Sequence, residues 1–204
     1  MKAFNKIDNG KSYDAVCDEW HEYRSAAPIN ACIVDFAERI APHGNVLDVG
    51  CGTGYPIAQF LSSRGFSVTG IDISQKMIDK ANALGLENSV FSKKSIEEFT
   101  SDILFDGVIA FDSIWHVEKS ALPDTYRKIA SLMKRGAYFI FTGGNRDGET
   151  VGTMFGEEFY YGALDIAELK SIFSEAGMEI ISLTEHYKEQ TTGERDLLVV
   201  AKKL

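Results

Sequence analysis

The sequence predicts an α/β fold with a mainly parallel sheet that is covered by helices on both faces. Four helix-like stretches close on a glycine and pass into an apolar run, at Gly65, Gly85, Gly136 and Gly177. Glycine closes helices readily because it adopts left-handed backbone angles, and each following run has the length and residue content of a strand. Strands that alternate with helices are joined by crossover connections, which place parallel strands side by side in a buried sheet.

The N-terminal part of the chain contains the first predicted helices. Apolar residues recur at spacings of three and four over about residues 12–24 and again over about residues 29–40. This spacing is typical of amphipathic helices, so we expect two of them before the first strand. The length of 204 residues suits a single domain.

The predicted core begins with a strand, a glycine-rich turn and a helix. The strand covers residues 45–49, the turn residues 50–54 and the helix about residues 55–64. A second strand ends at Asp72, and the fourth ends at Phe111. The carboxyl ends of these strands should meet at one edge of the sheet, where open α/β folds bind their ligands.

The C-terminal third contains two apolar runs, residues 178–187 and 194–203. Too few residues separate them for a helix, so we expect an antiparallel hairpin. Residues 143–165 show no clear periodicity and predict a long loop. Long loops in compact domains are often functional.

Composition excludes several classes of protein. The chain carries 30 acidic and 21 basic residues, a net charge of −9, and should repel nucleic acid phosphates. Its three cysteines have neither paired spacing nor a CxxC arrangement, so we predict no disulfide framework and no metal site. No apolar run approaches the roughly 20 residues that cross a bilayer, and the N-terminus lacks an apolar signal core. We therefore expect a cytoplasmic protein that binds neither nucleic acid nor membrane.

The glycine-rich turn is the strongest candidate for a ligand site. Gly50 and Gly52 allow the backbone to approach a ligand closely. A dinucleotide fingerprint would need a third glycine at position 55, which is Tyr55. Asp48, two residues before the first glycine, would repel a pyrophosphate, whereas it favours the ammonium and sulfonium charges of S-adenosylmethionine.

Asp72 closes the second strand, 24 residues after Asp48. Open α/β folds place an acid at this point on the ribose hydroxyls of the ligand. The alternative is a structural role, in which Asp72 lies at a helix N-terminus with Ser74 as the cap. Together with the glycine-rich turn, the ligand role is favoured.

Three segments together resemble class I S-adenosylmethionine-dependent methyltransferases. They are VLDVGCGTG at residues 46–54, VTGIDIS at residues 68–74 and FDGVIAFDSIWHV at residues 105–117. The similarity covers about residues 13–202 and is to the small-molecule branch of the class. It implies S-adenosylmethionine as the cofactor, S-adenosylhomocysteine as the product and a small-molecule methyl acceptor.

The resemblance also implies an architecture. This is a Rossmann-like seven-stranded, mainly parallel sheet with helices on both faces and a C-terminal antiparallel hairpin. Residues 1–204 would form one domain, with an N-terminal helical lid over residues 1–43 and the Rossmann-like core over residues 44–204.

Individual residues acquire roles from the resemblance. The first two glycines of the turn would lie against the methionine moiety, Asp72 would bind the ribose and Ile73 would pack on adenine. Ser95 and Ile96 would lie beside the adenine edge, where many family members have aspartate in place of Ser95. The predicted cofactor site comprises Tyr13, Trp20, Asp48, Gly50, Cys51, Gly52, Asp72, Ile73, Ser95, Ile96 and Phe111.

His116 is the candidate catalytic residue, since it follows the fourth strand beside the expected methyl group. Its imidazole could accept a proton from an attacking hydroxyl or amine. The alternative is that His116 only orients the loop.

Tyr13 and Trp20 share a predicted helix with Arg24, and related enzymes use such a segment as a lid over the cofactor. Tyr13 would then hydrogen-bond the cofactor carboxylate. The alternative is that these aromatic rings simply pack on the core. Tyr160 and Tyr161 are similarly candidates for the wall of an acceptor pocket or for plain packing.

Two other functions compete with methyl transfer. One is a non-catalytic S-adenosylmethionine-binding regulatory protein, and the other is an NAD-dependent oxidoreductase, which Asp48 and Tyr55 disfavour. The sequence leaves open the acceptor, the atom that is methylated and the oligomeric state.

Overall fold

The N-terminal segment forms three helices in the computed structural model, which describes residues 7–189 and 193–204. They are α1 (Asn9–Ala15), α2 (Cys17–Ser25) and α3 (Ala31–Ala37). The prediction of two helices is therefore wrong, because the first is interrupted at Val16. The interruption is slight, since the Val16 amide still donates to the Ser12 carbonyl at 3.2 Å.

The core alternates strands and helices as predicted. Its elements are β1 (Asn45–Val49), α4 (Ile57–Ser63), β2 (Ser67–Asp72), α5 (Gln75–Ala83), β3 (Ser89–Lys93), β4 (Phe105–Ala110), α6 (Leu122–Ser131), β5 (Met133–Gly143), β6 (Gly148–Met154), β7 (Glu157–Ala163), α7 (Ile166–Glu175), β8 (Met178–Glu189) and β9 (Gly193–Lys203). A short 3-10 turn, Ile114–His116, follows β4.

Seven strands form one sheet in the order β3-β2-β1-β4-β5-β9-β8. The first five strands in this order run parallel to one another, whereas β9 is antiparallel to both β5 and β8. This confirms the predicted sheet and its C-terminal hairpin. The connections reverse direction between β1 and β4, and such a switch point leaves a crevice at the carboxyl ends of the two strands.

Two apolar layers cover the sheet. One layer contains the buried rings of Phe139, Phe141 and Phe173, with the side chains of α6 and α7. The other contains Phe36 and Leu61, with the side chains of α3 and α4. Each fully buried side chain of this size contributes about 1.5–3 kcal/mol, so the layers hold the carboxyl edge of the sheet in place.

Residues 143–165 do not form the predicted long loop. Most of them form the antiparallel hairpin β6–β7, which turns through Phe155 and Gly156 and lies outside the main sheet. The hairpin is held by α1, because the Ser12 hydroxyl donates to the Glu158 carbonyl at 2.7 Å. The segment shows no clear periodicity because most side chains of these two strands are exposed or half-buried.

Gly136 also differs from its prediction as the end of a helix. Helix α6 ends at Ser131, and Gly136 lies within β5 at an irregularity. Phe105 and Gly107 of β4 pair with Met133 and Tyr138, so β5 has extra residues between these two pairs. The left-handed backbone at Gly136 accommodates this irregularity.

None of the helices formed by residues 7–189 and 193–204 is long and apolar enough to span a bilayer.

Candidate functional site

A cavity of about 930 Å³ opens at the carboxyl ends of β1, β2 and β4. All the predicted site residues lie on its wall. They are Tyr13, Trp20, Asp48, Gly50, Cys51, Gly52, Asp72, Ile73, Ser95, Ile96, Phe111 and His116. The helical segment, the glycine-rich turn and the loop after β4 therefore enclose one site.

The first two glycines of the turn, Gly50 and Gly52, have different reasons to be glycine, although both have positive φ angles. A Cβ atom at Gly50 would lie 2.2 Å from the Cβ atom of Ser113, so close packing excludes a side chain there. A Cβ atom at Gly52 would meet only the Trp20 indole nitrogen, at 3.6 Å. Gly52 therefore keeps space open beside the turn, whereas Gly50 lets the loop after β4 approach β1.

The Asp72 carboxylate accepts hydrogen bonds from the backbone and also lines the cavity. Its Oδ2 accepts from the Gly52 amide at 2.9 Å, and its Oδ1 accepts from the Ser74 amide at 2.8 Å. Ser74 caps α5, as the structural alternative predicted. Burial raises the pKa of Asp72 to about 6, while these backbone hydrogen bonds oppose the rise. Each carboxylate oxygen keeps acceptor capacity for a hydroxyl in the cavity.

Asp48 is a buried carboxyl group whose Oδ2 has no hydrogen-bond partner among the described residues. Burial and the nearby Asp72 charge raise the pKa of Asp48 to about 7, and the Arg24 charge opposes the rise. Such a group is stabilised in its ionised form by a cation in the cavity. A positively charged ligand group fits this position.

Arg24, Asp112 and Arg195 form a buried cluster at the end of β4. The Arg195 Nε donates to Asp112 Oδ1 at 2.8 Å, and its Nη2 donates to Oδ2. Arg24 Nη1 lies 3.8 Å from the same Oδ2 and has no hydrogen-bond partner within the described ranges. Burial lowers the pKa of Arg24, which stays a cation because its ordinary pKa is so high. Its guanidinium can thus hold an anionic group that enters the cavity.

His116 is held at both ring nitrogens. Its Nδ1 lies 2.8 Å from the Tyr160 carbonyl, which can only accept, so Nδ1 carries the proton. Nε2 then accepts from the Tyr13 hydroxyl at 2.8 Å and from the Trp115 indole at 3.2 Å. Burial lowers the pKa of His116 to about 4, so the ring is neutral at physiological pH.

The part of the cavity wall that follows β3 combines the aliphatic Ile96 with the polar Lys94, Ser95 and Glu97. Ile96 is buried there, and Ile73 lines the wall beside it. The Ser95 hydroxyl oxygen accepts from the Glu98 amide at 3.3 Å. This part of the cavity can hold a flat heterocycle between aliphatic side chains, as predicted for adenine.

Two site residues were absent from the predicted site. Arg24 lies four residues after Trp20 and its guanidinium lies 5.8 Å from the centre of that ring, so the helical spacing was the available signal. Asn9 holds the hairpin, since its side chain donates to the Tyr160 carbonyl and accepts from the Tyr160 amide. No sequence pattern marks a residue that binds backbone atoms.

The seven-stranded fold is that of class I S-adenosylmethionine-dependent methyltransferases. Residues 20–183 match the family described as "Methyltransferase domain". The chain belongs to this family.

Similar proteins are consistent with the assignment. Ubiquinone biosynthesis O-methyltransferase of Rickettsia bellii is 43% identical over 132 residues, which cover 58% of this chain and 54% of the relative. The chain spans between about a quarter and three fifths of the length of the curated relatives it matches.

Two solved structures share the fold. The CcbJ methyltransferase of Streptomyces caelestis has a TM-score of 0.74 and 18% identity, over 97% of this chain and 99% of that one. Magnesium protoporphyrin IX methyltransferase of Synechocystis PCC 6803, with bound S-adenosylhomocysteine, has a TM-score of 0.73 and 18% identity, over 96% and 98% of the two chains.

The described residues fit the cofactor of the class. S-adenosylmethionine carries a zwitterionic amino acid group, which needs a carboxylate for its ammonium and a cation for its carboxylate. The cavity offers the buried Asp48 Oδ2 and the buried Arg24 Nη1, each without a hydrogen-bond partner among the described residues. The two groups are therefore suited to the two ends of that zwitterion.

Proposed function

We propose that this protein transfers the methyl group of S-adenosylmethionine to an oxygen atom of a small-molecule acceptor by in-line displacement. The observation that carries the proposal is a pair of buried groups, Asp48 Oδ2 and Arg24 Nη1, neither of which has a hydrogen-bond partner among the described residues. Oxygen as the methylated atom is supported by relatives that are named O-methyltransferases. A cytoplasmic location and the absence of a nucleic acid partner stay predictions.

The proposed contacts of the cofactor follow from the cavity wall. Asp48 holds the ammonium group, Arg24 holds the carboxylate and Asp72 accepts from the ribose hydroxyls. Ile73, Ser95 and Ile96 surround adenine. The sequence-based role of Tyr13 as a carboxylate ligand competes with its bond to His116, because one hydroxyl hydrogen cannot serve both acceptors.

When bound, the cofactor supplies an activated methyl group, so the protein has little covalent chemistry to perform. Its contribution is to hold the acceptor oxygen in line at about 3 Å in a site that excludes water. The enclosing rings of Tyr13, Trp20 and Phe111 provide such a site.

We infer that Tyr13 and His116 together remove the proton from the acceptor hydroxyl. The acceptor hydroxyl donates to the Tyr13 oxygen, and Tyr13 donates to His116 Nε2, which lies 2.8 Å away. As the new O–C bond forms and the S–C bond breaks, the acceptor proton passes to Tyr13 and the Tyr13 proton passes to Nε2. The Tyr160 carbonyl keeps Nδ1 protonated and so directs Nε2 toward Tyr13.

Ligand-dependent melting tests the proposal against its competitors. S-adenosylhomocysteine should raise the melting temperature, whereas NAD should leave it unchanged. Stabilisation by NAD alone would favour an oxidoreductase. Binding of S-adenosylhomocysteine without turnover of any acceptor would favour a regulatory protein.

Replacement of Asp72 should weaken cofactor binding. Asp72→Ala removes the proposed ribose acceptor, and loss of charge-assisted hydrogen bonds costs roughly 1.5–3 kcal/mol, or about 10- to 150-fold in affinity for S-adenosylhomocysteine. Calorimetry measures this change. Asp14→Ala is the matched control, since Asp14 binds the Ser74 hydroxyl at the same helix end but does not line the cavity. Unchanged affinity in folded Asp72→Ala would remove the ribose assignment.

Cofactor binding should also depend on pH through Asp48. Its pKa of about 7 means that the carboxyl group is largely protonated below pH 7 in the free protein, and the ammonium group of the ligand favours the ionised form. Binding then releases a proton, and the Kd for S-adenosylhomocysteine should rise about tenfold between pH 8 and pH 6. In Asp48→Asn this dependence should flatten, with weaker binding at pH 8. A wild-type Kd that stays constant over this range would contradict the pairing.

A further inference from the structure

A second chamber of about 310 Å³ adjoins the cofactor cavity. The two share Tyr13, Trp20, Arg24, Asp112 and His116 in their walls. The chamber lies between α2, the 3-10 turn after β4 and the tip of the β6–β7 hairpin. Its position across Tyr13 and His116 from the cofactor cavity suits a methyl acceptor, and its volume suits a small molecule.

Aromatic rings form most of the chamber wall. On one side the Trp20 and Tyr23 rings lie 5.9 Å apart, and the Tyr23 and Phe155 rings lie 6.4 Å apart. On the other side the Trp115 and Tyr161 rings lie 6.1 Å apart. Rings at these spacings offer both faces and edges to a flat ligand.

The charges in the wall do not favour a cationic ligand, since Arg24 and Arg195 balance Asp112 and Glu194. Aromatic cages can bind quaternary ammonium groups, but here the cations of Arg24 and Arg195 also line the chamber. The carboxylate of Asp112 is shared between these two guanidinium groups. Glu194 at the rim is hydrogen-bonded to His186 at 2.9 Å. The chamber therefore favours a neutral aromatic ligand.

Phe155 lies at the hairpin tip in a backbone conformation that bulky residues rarely adopt. Phe155 and Gly156 have φ angles of 51° and 88°, which is the pattern of a type I′ turn. Asparagine followed by glycine is favoured there, and a bulky residue at positive φ is an outlier. Phe155 is also 48% exposed, so burial does not explain a phenylalanine at this position. A strained position that presents an aromatic ring to a chamber points to ligand binding.

We propose that the methyl acceptor is a planar hydroxylated aromatic molecule, bound in this chamber under the Phe155 tip. The inference rests on the proposed methyl transfer. The acceptor ring lies among Trp20, Tyr23 and Tyr161, with its hydroxyl at the shared wall beside Tyr13. The acceptor loses its hydroxyl proton to Tyr13 and gains a methyl group, and the cofactor leaves as the neutral thioether.

Fluorescence can test occupancy of the chamber, because the two tryptophans of the chain, Trp20 and Trp115, both line it. The full chain is first saturated with S-adenosylhomocysteine, with binding checked by calorimetry. Catechol and dihydroxynaphthalene should then quench the fluorescence saturably. Cyclohexanediol, which has the hydroxyls without the aromatic ring, and tetramethylammonium should not.

Phe155→Asn separates ligand binding from folding. Asparagine suits the turn, so the melting temperature should stay equal or rise, while the Kd for the aromatic diols should increase about tenfold. Affinity for S-adenosylhomocysteine should not change. Ile181→Ala is the matched control, since Ile181 is 42% exposed on β8 outside the chamber, and it should leave both affinities unchanged.

Three results would overturn the acceptor class: equal binding of cyclohexanediol and catechol, preferential binding of tetramethylammonium, or unchanged diol affinity in folded Phe155→Asn. Failure of the wild-type protein to bind S-adenosylhomocysteine would instead overturn the proposed function, and the inference with it.

Discussion

Asp112→Ala should lower the free energy of unfolding by about 3–5 kcal/mol, the range found when one partner of a buried ion pair is removed. Asp112 is the carboxylate that the buried guanidinium groups of Arg24 and Arg195 share. Without it, two cations would lie close together away from water. Urea denaturation of the free protein measures the change.

Asp124→Ala is the matched control for this prediction. Asp124 pairs with Arg127 at 3.0 Å, but both side chains are exposed. An exposed pair contributes about 0–1 kcal/mol and is screened by salt. We therefore expect a small, salt-sensitive loss for Asp124→Ala and a large loss for Asp112→Ala that persists in high salt. Similar losses for the two variants would show that water reaches the Asp112 cluster.

The placement of the glycine-rich turn and Asp72 at the sheet edge could be predicted from sequence, because it depends on elements that are consecutive in the chain. A strand, a turn and a helix that are consecutive in the chain place these groups at the sheet edge. The two interpretations of Asp72 turned out to be compatible, since its Oδ1 binds the Ser74 amide while the carboxylate lines the cavity. The role on the ribose stays a prediction.

The β6–β7 hairpin could not be predicted because what holds it is distant in sequence. Ser12 and Asn9 bind the backbone of Glu158 and Tyr160, about 150 residues later. The turn residue Phe155 also lacks the usual turn signal. A sequence pattern reports local preference, whereas this hairpin depends on contacts that only the folded chain provides.

The pKa and the tautomer of His116 also could not be predicted from the sequence. Sequence position predicted an imidazole near the methyl group, and an unperturbed histidine has a pKa near 6.5. The structure adds burial, which lowers the pKa to about 4, and a backbone carbonyl that fixes the tautomer. Neither effect leaves a signal in the sequence, because one depends on packing and the other on the main chain of Tyr160.

His116→Gln and His116→Ala should each lower kcat by about a hundredfold or more if the imidazole accepts the proton, within the range for general base catalysis. Glutamine can still accept a hydrogen bond from Tyr13 but cannot take its proton. Tyr13→Phe should cause a similar loss, and the double variant should be little worse than either single one, because the two groups act as a unit. Calorimetry should show nearly unchanged affinity of the His116 variants for S-adenosylhomocysteine.

The pH profile provides the second measurement of this prediction. Because the pKa of His116 is lowered to about 4, the ring stays neutral at higher pH. At saturating cofactor and acceptor, kcat should therefore show no rise through pH 6.5, unlike the profile expected from an unperturbed histidine. Full activity in His116→Gln would show that His116 only orients Tyr13 and does not accept its proton. Full activity in His116→Ala as well would leave positioning of the acceptor as the source of catalysis.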